Sequence, residues 1–191
     1  MSVKHSLLAM LLAGPQYGAA LRAEFEARTA HTWPLNVGQV YTTLGRLERD
    51  GLVISAGPTG SDDSTISYAL TNGGRDEVSD WWHSPVDRSA TSRDELAIKF
   101  ALAVTAPGVD VASIVQKQRS ATLTRLQQLT RTKRALQAGP DDIPGLLVLE
   151  HLIFSTEAEA RWLDHIEPIM TRSQRATSAQ ARNADTEGDV L

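Results

Sequence analysis

The chain has 191 residues, of which 41% are hydrophobic, and carries a formal net charge of −4. That length is enough for one or two small domains with a real core. There is no cysteine, which excludes disulfides, thiolate chemistry and a cysteine zinc framework, and no stretch approaches the ~20 apolar residues of a membrane span. The apolar run behind Lys4 is short for a secretory leader and is followed at once by Gly14-Pro15, so it reads as core and the expected location is the cytoplasm.

In chain order, Ser6 to Ala13 is apolar at Leu7, Leu8, Met10, Leu11 and Leu12 and is predicted to be a buried first helix, broken at Gly14-Pro15. Tyr17 to Ala30 is predicted as a second helix, with Tyr17, Leu21 and Phe25 at i, i+4 and i+8. Trp33-Pro34-Leu35-Asn36 forms the turn into a third helix, for which Asn36 is a good N-cap. That helix, roughly Asn36 to Asp50, has Val40, Leu44 and Leu47 on one face. Gln39, Thr42, Thr43, Arg46 and Arg49, all hydrogen-bond donors, lie on the other. It stops at Gly51, a residue suited to the left-handed conformation of a helix end. Leu52 to Ala56 is a predicted strand, Gly57 to Asp63 a turn cluster, and Ser64 to Leu70 the return strand, alternating Ile66, Tyr68 and Leu70. Thr71 is placed to cap the next helix. Helix, glycine stop and strand in this order are how a recognition helix feeds the wing of a winged helix-turn-helix.

The rest is helical. Arg93 to Thr105, Asp110 to Ala138 and Ile143 to Met170 read as three helices, separated by Pro107-Gly108 and Gly139-Pro140. Apolar spacings of 3 and 4 in the two long ones suit helices that pack along a neighbour, and Pro144 fits a first turn. They are expected to pair antiparallel and to complete their core with a second subunit. From Thr171 the apolar period ends, and a disordered tail is expected. The predicted class is mainly α with a small two-stranded β wing. Residues 1–88 form a winged helix-turn-helix, 89–170 an α-helical dimerisation and effector domain, and 171–191 the tail.

Three phrases carry a family resemblance. They are Leu12-Ala13-Gly14-Pro15-Gln16-Tyr17-Gly18-Ala19-Ala20-Leu21, the run from Gly38 to Val53, and Tyr68-Ala69-Leu70-Thr71-Asn72-Gly73-Gly74-Arg75. In order and spacing they resemble the PadR family of winged-helix transcription regulators. The stretch Arg93-Asp94-Glu95-Leu96-Ala97-Ile98-Lys99-Phe100 before the long helices is similar to its larger subfamily, with a helical C-terminal dimerisation domain. The resemblance implies a homodimer on a near-palindromic operator, repression of transcription, and relief by a small molecule. One departure stands out. Where family wings carry Arg or Lys, this chain has Asp62-Asp63-Ser64-Thr65-Ile66-Ser67, and two carboxylates at a wing tip repel phosphate.

The candidate DNA-binding residues are Asn36, Gln39, Tyr41, Thr42, Thr43 and Arg46. Gln39, Thr42 and Thr43 are the candidates for base edges, and Tyr41 and Arg46 for phosphates. Trp81, Trp82 and Trp162 are candidates for an aromatic-lined effector site, with ordinary packing as the competing explanation. The basic run Lys117, Arg119, Arg125, Arg131, Lys133 and Arg134 holds no acid and suits pairing with Glu150, Glu157 and Glu159 better than a nucleic-acid contact. The histidines have no partners at metal spacing, and no cofactor or metal is expected. No phosphate loop or nucleophile elbow is present, so no enzyme is indicated. Residues 1–88 hold seven Lys/Arg against ten Asp/Glu, the opposite of the usual DNA-binding footprint. That balance supports a rival reading, in which the winged helix is a protein-interaction module that ignores DNA.

Overall fold

The computed structural model describes residues 3–56, 66–87, 94–140 and 142–188, with side chains as far as Met170 and at Arg172. The turn cluster and the paired Asp62-Asp63 of the wing lie outside the described residues. The chain divides into two compact units, residues 1–89 with 141–148 and residues 90–140 with 149–191.

In the first unit, α1 (Val3–Met10) runs into a single 3-10 turn, Leu11–Ala13. Leu7, Leu8 and Leu11 from this stretch join Leu21 and Phe25 of α2 (Gly18–Arg28) in a core that excludes water. The same core takes Leu35 and then Val40, Leu44 and Leu47 of α3 (Val37–Arg49). Strands β2 (Val53–Ala56) and β3 (Ser67–Leu70) pair antiparallel, with Val53 opposite Leu70 and Ser55 opposite Tyr68. α4 (Asn72–His83) closes the unit with Val78 buried, and Thr71 Oγ1 caps it by accepting from the Gly74 N–H at 3.0 Å.

A third strand adds to the expected two-stranded wing. β1 (Gln16–Tyr17) pairs with the other edge of β3, giving the order β1-β3-β2, and the second helix begins at Gly18 rather than Tyr17. Pro15 holds the chain extended, and the open edge of β3 then takes the backbone groups of Gln16 and Tyr17. Because β3 is the central strand, Ser67 and Tyr68 are both buried while Ile66 stays exposed, so the expected alternation of Ile66, Tyr68 and Leu70 does not hold.

The second unit packs α5 (Glu95–Ala103), α6 (Val111–Gln137) and the larger part of α7 (Ile143–Gly188). Asp94 and Asp110 cap α5 and α6 by accepting the Ala97 and Ser113 N–H groups, each at 3.0 Å. The core is Phe100, Ala103, Val111, Val115, Leu163 and Met170. Two bounds differ from those read in the sequence. Residues 141–148, read from the sequence as part of the helical domain, belong to the first unit, where buried Gly145 comes within van der Waals reach of Ala30. And α7 runs past Met170, to Gly188.

Candidate nucleic-acid interface

α3 is the most strongly amphipathic surface of the first unit. Val40, Leu44 and Leu47 anchor it in the core with essentially no exposure. Its start is fixed by Asn36, whose side-chain oxygen accepts from the Gly38 N–H at 2.8 Å. Its end is fixed by Gly51 at φ +71°, with the Leu52 N–H donating to the Leu47 carbonyl at 2.9 Å. A helix held at both ends and along one face presents its other face rigidly.

On that face Gln39, Thr42, Arg46 and Arg49 are all exposed and fall at i, i+3, i+7 and i+10, a single stripe. Arg46 makes no ion pair with any described residue. Among the described residues, Arg49 has only a loose contact with Asp50, at 3.7 Å. Thr43 is half-buried at the side of the stripe, and its hydroxyl donates to the Gln39 carbonyl at 2.7 Å. Its proton is therefore used within the helix, and only its oxygen lone pairs face outward. Asn36 spends its oxygen on the cap and keeps its amide donors. Tyr41 is 45% exposed and its ring lies against Gly18, the first residue of α2.

Two acids, Glu48 and Asp50, flank this surface. Glu48 is turned toward the sheet, where its Oε1 accepts from the Ser55 N–H at 3.1 Å. Nearby, burial first, then the charges of Glu48 and Tyr41, raises the Tyr68 phenol above its ordinary 10.0. Gly45 is a residue the sequence reading passed over. It lies in the middle of α3 on the exposed side, and a side chain there would meet nothing within 4 Å. A glycine inside a helical run was the available signal.

The three tryptophans are divided between the two units. Trp81 stacks on His5 with ring centroids 5.3 Å apart and touches Trp82 at 4.4 Å, both on α4 in the first unit. Trp162 is in the second unit, edge-on to Phe100 at 5.7 Å. Two cations of the basic run of α6, Arg119 and Lys133, pair with acids on α7. Arg119 bridges to Asp164 and, at 2.8 Å, to Glu167, which holds its guanidinium above its ordinary range. Lys133 pairs with Glu150. Glu159 accepts instead from Gln118 at 3.0 Å and from Thr122. Among the described residues no cluster of three potential ligands could hold a metal ion, and no helix is long and apolar enough to cross a membrane.

A buried first helix, a helix-turn-helix and a three-stranded sheet, followed by a unit of long helices, define a winged-helix transcription regulator. Two family models match in succession: the transcriptional regulator PadR-like family over residues 7–80 and the virulence activator alpha C-terminal domain over residues 92–171. Together they span most of the chain, which belongs to the PadR-like family of transcriptional regulators, in its form with a helical C-terminal domain, and is not an enzyme. The negative transcriptional regulator PadR of Bacillus subtilis is 23% identical over 174 residues, 86% of this chain and 94% of that protein. Its crystal structures with operator DNA and with p-coumaric acid each superpose with a TM-score of 0.70 at 20% identity. They cover 89% and 88% of this chain and 99% and 98% of theirs. The Vibrio cholerae virulence activator AphA superposes with a TM-score of 0.66 at 21% identity, over 90% of this chain and 99% of its own. At these identities the superpositions speak for the fold.

Proposed function

We propose that the protein is a homodimeric repressor that binds a near-palindromic operator through α3 of each subunit, in the cytoplasm, and that a small molecule modulates it. The observation that carries this reading is the polar stripe of α3, rigidly backed by Val40, Leu44 and Leu47, with the side chains of Gln39, Thr42 and Arg46 exposed and making no hydrogen bond or ion pair with any described residue. Two such helices related by a two-fold axis would enter successive major grooves about one helical turn apart. Gln39 and Thr42 meet base edges, Thr43 offers its oxygen as an acceptor, Arg46 and the Tyr41 hydroxyl meet phosphates, and Asn36 sits at the helix start.

Dimerisation is supported by apolar side chains left outside the core of the second unit: Leu102 at 64% exposure, Phe154 at 63% and Ile169 at 55%. Repression and a DNA operator are supported by the Bacillus subtilis relative, a negative regulator solved on operator DNA, and an effector by its complex with p-coumaric acid. The test is titration of the purified protein against the DNA upstream of its own gene and against a scrambled duplex, at two salt concentrations. Salt-sensitive preference for a specific duplex is the expected result. If neither that DNA nor any duplex from a random-sequence selection is bound at low salt, the protein-interaction reading, favoured by the acidic balance of residues 1–88, replaces it.

A further inference from the structure

Within the second unit, the start of α5 and one face of α7 enclose an open cavity of about 540 Å³, inside the roughly 300–1,000 Å³ range of small-molecule sites. Ser155, Ala158, Glu159 and Trp162 of α7 line it at i, i+3, i+4 and i+7, so they share one helix face. Asp94, Leu96 and Ala97 come from α5. The small side chains of Ala97, Ser155 and Ala158 leave the space, and Trp162 and Leu96 give it an apolar wall.

Among the described lining residues the charge is one-sided: Asp94 and Glu159 both line it, and none is cationic. A helix start normally favours anions, through about half a unit of positive charge. Here the Asp94 carboxylate occupies that position, so a full negative charge outweighs it. One Asp94 oxygen is used for the cap on Ala97. Glu159 is held in place by Gln118 and by buried Thr122. Trp162 is oriented by its edge contact with Phe100. Two fixed carboxylates beside an oriented indole form an arrangement that attracts a cation by charge and by the negative face of the ring. It repels a carboxylate such as p-coumarate, the ligand of the Bacillus subtilis structure.

We propose that this cavity binds an organic cation with a flat apolar body, a protonated or quaternary amine carried on an aromatic ring. The proposal gives the chemical class of the effector and rests, in that role, on the reading of the protein as an effector-responsive regulator. The binding itself does not depend on DNA.

The experiment uses the full chain without DNA and two fluorescent probes of opposite charge, acridine orange (cationic) and 1-anilinonaphthalene-8-sulfonate (anionic). Saturable binding of acridine orange at one site per chain is expected, with much weaker binding of the sulfonate. Glu159→Gln keeps the acceptor for Thr122, and Asp94→Asn keeps the cap, so both preserve the fold while removing charge. Each should lower the acridine orange affinity by about tenfold, and Trp162→Phe, with its weaker ring field, by a smaller factor. Equal affinity for the two probes, or acridine orange affinity unchanged in both charge-removing variants, overturns the proposal. Failure of the operator titration described above overturns the regulator reading alone, because the probe titration contains no DNA.

Discussion

A Cβ on Gly18 would stand 2.7 Å from Cε1 and 2.9 Å from Cζ of Tyr41. The first residue of α2 has no side chain, and the ring of the α3 tyrosine occupies the space. This contact sets where the Tyr41 hydroxyl points, although the ring is nearly half exposed. Gly18→Ala should therefore displace the ring without unfolding the unit. Thermal stability should fall by no more than about 1 kcal/mol, because an exposed ring can swing aside. Operator affinity should fall by about tenfold, the worth of one hydrogen bond to a charged oxygen. Tyr41→Phe should reproduce the affinity loss alone. Unchanged affinity in both variants would remove Tyr41 from the phosphate contacts.

Gly74 is a harder constraint. A Cβ there would lie 2.1 Å from the Leu52 carbonyl oxygen and 2.9 Å from Leu70 Cδ2. The obstacle is backbone, which cannot rotate away. Gly74→Ala should cost roughly 3 kcal/mol or more and leave the first unit unfolded or molten. Gly73→Ala, with its nearest neighbours at 3.8 Å and beyond, should be tolerated. Chemical denaturation of the two variants decides it, and equal stabilities would contradict the packing.

The contrast between these residues shows what the sequence could disclose. α3 was legible because its signals are local: the Asn36 cap, the 3- and 4-residue spacing of Val40, Leu44 and Leu47, and the Gly51 stop. The pairing of Lys133 with Glu150 was legible too, whereas Arg119 pairs with Asp164 and Glu167 rather than with the acids expected for the run. β1 was not legible, because a two-residue strand has no period of its own and exists only by pairing with β3. Nor was the attachment of residues 141–148 to the first unit, which depends on a buried glycine beside Ala30. Gly18 and Gly74 appear in the quoted family phrases, yet the reason for each is a contact with a residue far along the chain. Thr43 carries a donor in the sequence, and only the helix geometry reveals that the donor is spent on Gln39.

Glu77 predicts a pH dependence. It accepts from Lys4 and lies 3.0 Å from His5 Nε2, joining α4 to α1. The Lys4 hydrogen bond first, and the His5 contact next, lower its carboxyl below the ordinary 4.5. The folded chain thus holds this proton less tightly than the unfolded chain, so stability rises with pH through that range. The contribution is complete above 4.5 and is lost as pH falls below it, through the depressed folded value. Glu77→Gln should lose less stability than the parent between neutral pH and a pH below 4.5. Equal acid-induced losses in the two proteins would show that the ion pair contributes nothing.

Arg46 and Gln39 share the α3 stripe but are assigned different work. Arg46→Ala should weaken binding to all duplexes alike and lower the salt slope by about one. Gln39→Ala should instead relax the preference at a single base pair by ~1–3 kcal/mol and leave the salt slope alone. Titrations of both variants against a panel of single-base operator changes separate the two. Uniform loss in both would mean that Gln39 reads no base.

Gly45 tests whether α3 itself approaches DNA closely. An interior helical glycine costs about 1 kcal/mol relative to alanine. Nothing within 4 Å in the first unit explains why a side chain is missing there. Gly45 lies beside Arg46 on the face proposed to enter the groove, so a bare backbone at that point lets the helix axis come nearer to the duplex. Gly45→Ala should raise the stability of the free protein by up to about 1 kcal/mol. The same variant should weaken operator binding, because the added methyl holds the helix away from its contacts. The two effects have opposite signs, so neither can be mistaken for general damage to the fold. A variant that is more stable and binds the operator as tightly as the parent would show that the glycine has no part in docking, and that α3 sits far enough from the duplex to accommodate a side chain at that position.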